Sequence, residues 1–346
     1  MFTIIDYLKF YKDTSFDDVR WNDLDNLLGA ILVYLPVPSF KEGKNLKELY
    51  DYALSKTLAT SSFMAPKAME ILNIVKDSKR YAEITISDFT NIKNEEVQFG
   101  ACIIKTETEK IISFKGTDGS LIGWLENFRL AYEYPTYTQK LAIDYLKNNI
   151  SFLDKDVYVV GHSKGGNLAM ASAMELTDSK FNKIKKICNF DGPGFKKKEY
   201  ESDKFKRLNT KLLNIIPTGS IVGTILYNDN YKVVSSNEIA IDEHSPISWK
   251  VFGQYFIEGK LSSISKQFHI NTSEGLETLD EEKLKKTIET SFKSLEKEYA
   301  SDFRLRFEDI KNFYTNMKNV DPEIRDYIDV IMEQLIKYKN LNFIFN

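Results

Sequence analysis

The chain has 346 residues, 42% hydrophobic and 28% charged, with 23 Phe and 19 Tyr, so apolar surface is ample for a large packed core. Lys and Arg total 47 against 50 Asp and Glu, a net charge of −3, and this balance offers no case for a nucleic-acid surface. Only Cys102 and Cys188 occur, each in an apolar run, which excludes a disulfide framework and predicts two reduced core thiols; no metal-ligand spacing is present.

The N-terminal MFTIIDYLKFYKD lacks a basic region and is broken at Asp6, so it does not read as a signal peptide. No run approaches the ~18 apolar residues of a membrane span, and the expectation is a soluble, cytoplasmic protein. Residues 1–78 read as helical. Trp21 to Tyr34 has apolar residues at i, i+3, i+4 spacing and stops at Pro36-Val37-Pro38; further helices are predicted at 45–57 and 65–78. Strands follow at Tyr81–Ser87, Val97–Lys105 and Lys110–Phe114, the last two joined by the acidic hairpin turn TETE. Helical patterns return at Ile122–Tyr134 and, after Pro135, at Tyr137–Asn149.

Val157–Val160 is a short, wholly apolar strand of the kind buried in a parallel sheet. A helix at 165–177, a strand at 184–190, a basic helical stretch near 196–208, a strand at 211–216 and a last sheet-like segment at Tyr231–Ser235 complete the alternation. Such alternation predicts an α/β fold with a doubly wound, mostly parallel sheet. Beyond Trp249 the chain reads as helical, with charged amphipathic segments at 280–299, 302–318 and 322–340. The organisation expected is an N-terminal helical segment (1–78) packed on the core, a core at 79–260 and a helical extension at 261–346.

The chemistry concentrates in VYVVGHSKGGNLAMA, residues 157–171. Gly161-His162-Ser163-Lys164-Gly165 is G-x-S-x-G between an apolar strand and a small-residue helix, the context of a nucleophile elbow. A serine on so sharp a turn exposes its hydroxyl. The helix N-terminus below it offers the Lys164 N–H to a developing oxyanion.

Serine needs a base, and the base needs an orienting group. The chain has only three histidines. His162 adjoins the serine, where the turn points its side chain elsewhere, and reads as structural. His269 lies among helical segments. His244, in the polar loop DEHSP after the last sheet-like segment, is the expected base. Asp191 ends the strand KIKKICNF and is followed by Gly192-Pro193-Gly194, at the sheet edge where ligands gather. It is the expected acid, with Asp229 and Asp242 in reserve. The strand IISF runs into Lys115-Gly116-Thr117, and Thr117 is the expected second oxyanion donor. Leu121, Trp124, Leu125 and Phe128 then form a stripe that suits a core face, or a wall or cover of an acyl pocket.

These residues resemble the class 3 lipases, an α/β-hydrolase family. The matching pieces are Phe114-Lys115-Gly116-Thr117 with Trp124, and the elbow Gly161-His162-Ser163-Lys164-Gly165-Gly166. The resemblance spans about residues 80–250 and implies Ser163 as nucleophile, His244 as base, and Thr117 and the Lys164 N–H as oxyanion donors. Two departures stand out: the family's aspartate would fall near Ser220, and Lys164 replaces the usual leucine. The chain is also similar to an uncharacterised bacterial lipase-like group through GHSKGGNLA (161–169), DGPGF (191–195), SIVG (220–223) and His244 with Ser248-Trp249.

The expected function is an esterase or lipase-like serine hydrolase acting on a small acyl ester through an acyl-enzyme, with neither metal nor organic cofactor. A thioesterase, amidase or acyltransferase would use the same triad. A non-catalytic hydrolase-fold binding module is the alternative of another class; Ser220 favours it, and the retained serine and histidine oppose it. The C-terminal helices mix lysine with glutamate and present no basic amphipathic face, which leaves a lipid surface neither required nor dismissed.

Overall fold

The computed structural model describes residues 1–298 other than Ser61 and Gly119, together with Pro322, Ile324, Arg325, Asp326 and Asp329. The predicted helix at 302–318 and most of that at 322–340 lie outside the described residues.

Four helices lead the chain: α1 (Ile4–Phe10), α2 (Asp23–Leu32), α3 (Leu46–Ser55) and α4 (Met64–Val75), with the two-residue strand β1 (Lys44–Asn45) before α3. Asn22 caps α2 by accepting the Leu24 N–H, and Asn45 caps α3 by accepting the Glu48 N–H, so each start satisfies a donor that has no partner within the helix. Then come β2 (Thr85–Lys93), β3 (Gln98–Lys105), β4 (Lys110–Phe114), α5 (Leu121–Arg129), α6 (Tyr137–Asn149), β5 (Val157–His162), α7 (Lys164–Met174), α8 (Asp178–Phe181) and β6 (Ile184–Phe190). The series continues with α9 (Lys197–Tyr200), α10 (Asp203–Asn209), β7 (Leu212–Pro217), β8 (Lys232–Val234), β9 (Val251–Phe252), β10 (Tyr255–Phe256), α11 (Ser263–Thr278) and α12 (Glu281–Glu298).

Strands β1 to β8 form one sheet in sequence order. β1 to β4 pair antiparallel; from β4 to β8 every pairing is parallel, with Ile112 beside Val159 and Val159 beside Ile187. Hairpins join β2 to β3 and β3 to β4, β1 reaches β2 through α3 and α4, and each parallel pair needs a crossover. The fold is therefore the expected α/β-hydrolase type, a mostly parallel sheet with helices on both faces.

Side-chain alternation divides the interior in two. Val157 and Val159 of β5 face a cluster with Ala142 and Leu146 of α6 and Leu168 of α7. Tyr158 and Val160 face the other cluster, with Leu27 and Ile31 of α2 and Leu72 of α4. A strand buried on both faces must be apolar throughout, which is why β5 reads as an uninterrupted run. Cys102 and Cys188 are free, buried thiols, and burial raises both above the ordinary thiol range.

Three local expectations are corrected. The strand predicted at Tyr81 starts at Thr85, because residues Lys79–Tyr81 form a 3-10 turn held by Arg80 and Tyr81 on the buried Asp25 carboxylate. The basic stretch at 196–208 is two helices, interrupted where the Ser202 hydroxyl caps α10. Beyond Trp249 the chain makes the β9–β10 hairpin before any helix, turning at Gly253 with φ of 58°. Further on, α12 packs against α5, with Leu125 and Tyr132 among Leu284, Ile288 and Phe292. Arg129 and Tyr132 both donate to Glu289 across this contact. Among the described residues no helix is long and apolar enough to cross a membrane.

Candidate active site

Ser163 occupies the single position between the end of β5 and the start of α7. Its backbone has φ of 58° and ψ of −135°, a strained conformation for a residue with a Cβ. Close packing holds it there. The Ser163 N–H donates to Phe190 O at 3.0 Å, and Gly166 N–H donates to Ser163 O at 2.8 Å. A Cβ on Gly165 would lie 2.1 Å from Phe114 O and 3.0 Å from Gly116 N, so the elbow fits against β4 only with glycine there.

Asp191 follows the end of β6, the strand beside β5, and its carboxylate is fully buried. Oδ2 accepts from His244 Nδ1 at 2.7 Å. Oδ1 accepts from the Ser220 hydroxyl and, at 3.1 Å, from Gly223 N–H. Each carboxylate oxygen is thus satisfied and the one facing His244 is fixed. Ser220, where the lipase resemblance places an aspartate, is a donor that supports a carboxylate carried by the neighbouring strand.

His244 ends a 3-10 turn at Ala240–His244. The turn is anchored by Glu243, whose carboxylate accepts Gly219 N–H at 2.8 Å and whose carbonyl accepts Trp249 Nε1–H at 2.8 Å. Burial pushes the Glu243 carboxyl above its ordinary value. Of the reserve acids, Asp229 faces His269 of α11 at 3.2 Å, and Asp242 supplies its carbonyl to Ser245 N–H. Asp191 is the carboxylate against the His244 ring. Among the described residues no hydrogen bond joins Ser163 Oγ to His244 Nε2. Such nucleophile–base links are often loose until substrate closes them.

Thr117 lies in the loop after β4, next to Gly116, where an added Cβ would lie 3.1 Å from the Ser163 Cβ. Its Oγ1 accepts from Asn127 Nδ2 at 2.9 Å, which leaves the hydroxyl proton free to donate elsewhere. Lys164 opens α7, so its N–H has no carbonyl one turn back. Its side chain turns away into the protein: Nζ donates to the backbone and side-chain oxygens of Gln98, both at 2.9 Å. Gln98 Nε2 in turn donates to Gly116 O at 3.3 Å. Burial pushes the Lys164 ammonium down to about 8, against the opposing charges of Glu126 and Asp118. The side chains of Leu121 and Trp124 lie outside the described residues; Leu125 is buried against α12 and Phe128 is partly exposed.

Sequence reasoning missed Tyr34, whose hydroxyl oxygen accepts the Gly116 N–H at 3.0 Å, and also Gln98, Ser220 as a donor, and Glu243. Tyr34 had the look of one more apolar residue at a helix end, and no local signal marks the others.

A family model described as Mbeg1-like matches residues 75–293. Solved structures with a similar fold include M37 lipase, 16% identical, covering 59% of this chain and 70% of that one with a TM-score of 0.38. A mutant form of MDLA from Penicillium cyclopium is 12% identical, covering 77% and 94%, with a TM-score of 0.40. The Lip2 lipase from Yarrowia lipolytica is 12% identical, covering 70% and 86%, with a TM-score of 0.35. No curated protein matches the chain in sequence.

Proposed function

The chain belongs to the Mbeg1-like family, and from that premise and the geometry of the site we propose that it is a serine hydrolase cleaving a carboxylic ester through an acyl-enzyme on Ser163. The observation that carries this reading is the strained Ser163 backbone at a strand–helix turn, with the Asp191–His244 pair at the same sheet edge. Strain of this kind persists only where the surroundings over-determine it, and it concentrates at functional positions.

Ser163 Oγ attacks the ester carbonyl carbon, and its proton passes to His244 Nε2. Asp191 Oδ2, 2.7 Å from Nδ1, keeps the proton on Nδ1 and stabilises the imidazolium that forms. The Lys164 N–H and Thr117 hold the negative oxygen of the tetrahedral intermediate. Collapse breaks the ester C–O bond, and the alcohol leaves with the proton from Nε2. Water then attacks the acyl-enzyme, gives its proton to His244 and releases the carboxylic acid, with Ser163 Oγ taking that proton back. The proposed catalytic residues all lie in the proposed core, residues 79–260, between the segments 1–78 and 261–346.

The non-catalytic reading drew on Ser220, where the resemblance calls for an acid. A buried carboxylate on His244 from Asp191 removes that argument and favours the enzyme. The test is turnover of p-nitrophenyl butyrate. Ser163→Ala is expected to lower kcat by ~10⁴-fold or more; a variant as active as wild type would end the proposal.

A further inference from the structure

We propose that Tyr34 and His162 are positioning residues of this site, forming a hydrogen-bonded relay from the Gly116 N–H to the His244 carbonyl that fixes the oxyanion loop and the base loop relative to the elbow. The inference rests on the serine-hydrolase reading above.

The relay has four members from distant parts of the chain. Gly116 N–H donates to the Tyr34 hydroxyl oxygen at 3.0 Å. That hydroxyl lies 3.1 Å from His162 Nδ1 and 3.1 Å from His162 O. His162 Nε2 lies 2.8 Å from the backbone carbonyl oxygen of His244.

Donor chemistry fixes its direction. A carbonyl oxygen only accepts, so Nε2 carries the proton. The His162 ring is fully buried, and burial together with the nearby His244 holds it well below its ordinary value, so it is neutral. A neutral ring protonated on Nε2 presents Nδ1 as an acceptor. Tyr34 has one proton to give, to Nδ1 and to the His162 carbonyl beside it, and its oxygen is the acceptor left for Gly116. Every donor of the relay meets an acceptor, with the one Tyr34 proton shared between Nδ1 and the His162 carbonyl.

The packing agrees. A Cβ on Gly116 would lie 2.1 Å from the Tyr34 hydroxyl and 2.6 Å from His162 O, so the phenol oxygen fills the space a side chain would take. The His162 ring also lies against that of His244, with centroids 4.7 Å apart and planes at 34°. His162 cannot take the Ser163 proton, because both its nitrogens are engaged. Its neighbours in the chain are the informative ones: Gly116 precedes Thr117, and His162 precedes Ser163. A single phenol thus sets the spacing of oxyanion donor, nucleophile and base. Tyr34 lies outside residues 75–293, so the N-terminal layer completes a site whose other parts lie within the family match.

The experiment compares full-length wild type, Tyr34→Phe, His162→Asn, His162→Gln and Ser163→Ala on p-nitrophenyl butyrate, with ¹⁵N NMR of the three histidines. Tyr34→Phe should lower kcat about 10- to 100-fold with KM within about twofold, as small misplacements of reacting groups do. NMR should find His162 of the wild type as the Nε2–H tautomer, with the Nδ1 resonance shifting when the Tyr34 hydroxyl is removed. His162→Gln, whose amide N–H can still reach the His244 carbonyl, should retain more kcat than His162→Asn, and this comparison decides if Tyr34→Phe does not fold. Ser163-dependent turnover with Tyr34→Phe at wild-type kcat, or with the two His162 variants equal, would overturn this inference and leave the hydrolase reading standing. A wild type without Ser163-dependent turnover would overturn both.

Discussion

The Asp191 carboxylate is fixed at both oxygens: one takes two donors and the other faces His244. Asp191→Asn keeps the shape but presents an amide that favours the wrong imidazole tautomer. A fall in kcat of about 10⁴-fold is expected, read from pH-resolved turnover. Ser220→Ala should cost far less, on the order of 10-fold, because Gly223 N–H still holds Oδ1; equal losses for the two variants would contradict this division of labour. At this scale the sequence was legible wherever function has a local signature. Ser163 is announced by its glycines and by the strand–helix context. The His244–Asp191 contact was legible because three histidines leave little choice and Asp191 ends a strand. Tyr34, Ser220 and Gln98 meet the site residues across 18 to 128 positions in the chain, and no local pattern encodes such distances.

The elbow joins β5 to α7 by letting backbone touch backbone. Gly165→Ala would place a methyl against Phe114 O, where β4 cannot retreat without leaving the sheet. We expect a loss of about 1–3 kcal/mol in urea unfolding, with turnover falling further than stability because the same shift displaces Gly116. A second consequence concerns the buried lysines behind the elbow. Desolvation pushes Lys164 and Lys115 down to about 8, against ~10.4 for a solvated lysine. Between those values the unfolded chain binds more protons than the folded one, so these groups make stability rise with pH. Lys164→Met should flatten that rise from pH 8 to 10 relative to wild type in thermal unfolding; parallel curves would contradict it. The strands β3 to β7 were readable to within two residues because a doubly buried sheet demands unbroken apolar runs. The β2 start was not, since the Asp25 carboxylate that captures Arg80 and Tyr81 lies more than fifty residues earlier.

Among the described residues the large sheet lies between helical layers, and the N-terminal layer is fastened by a buried ion pair. Arg80 Nη2 meets Asp25 Oδ2 at 2.7 Å, with both side chains fully buried, and Nη1 donates to Val19 O at 2.7 Å. Arg80→Met would strand the carboxylate, at a cost of about 3–5 kcal/mol in denaturant unfolding; a change under 1 kcal/mol would mean the layer is held by its apolar face alone. The fold class was legible from element order. That α1 to α4 cover the second face of the sheet, and send Tyr34 into the site, was not, because an amphipathic stripe says that a helix is buried but not against what. The most direct test of the account is covalent capture. Intact-protein mass spectrometry after treatment with a fluorophosphonate should find one adduct per chain, mapped to Ser163, absent in Ser163→Ala and slow to form in Asp191→Asn. A folded wild-type protein that stays unlabelled, or one labelled at another residue, would contradict it.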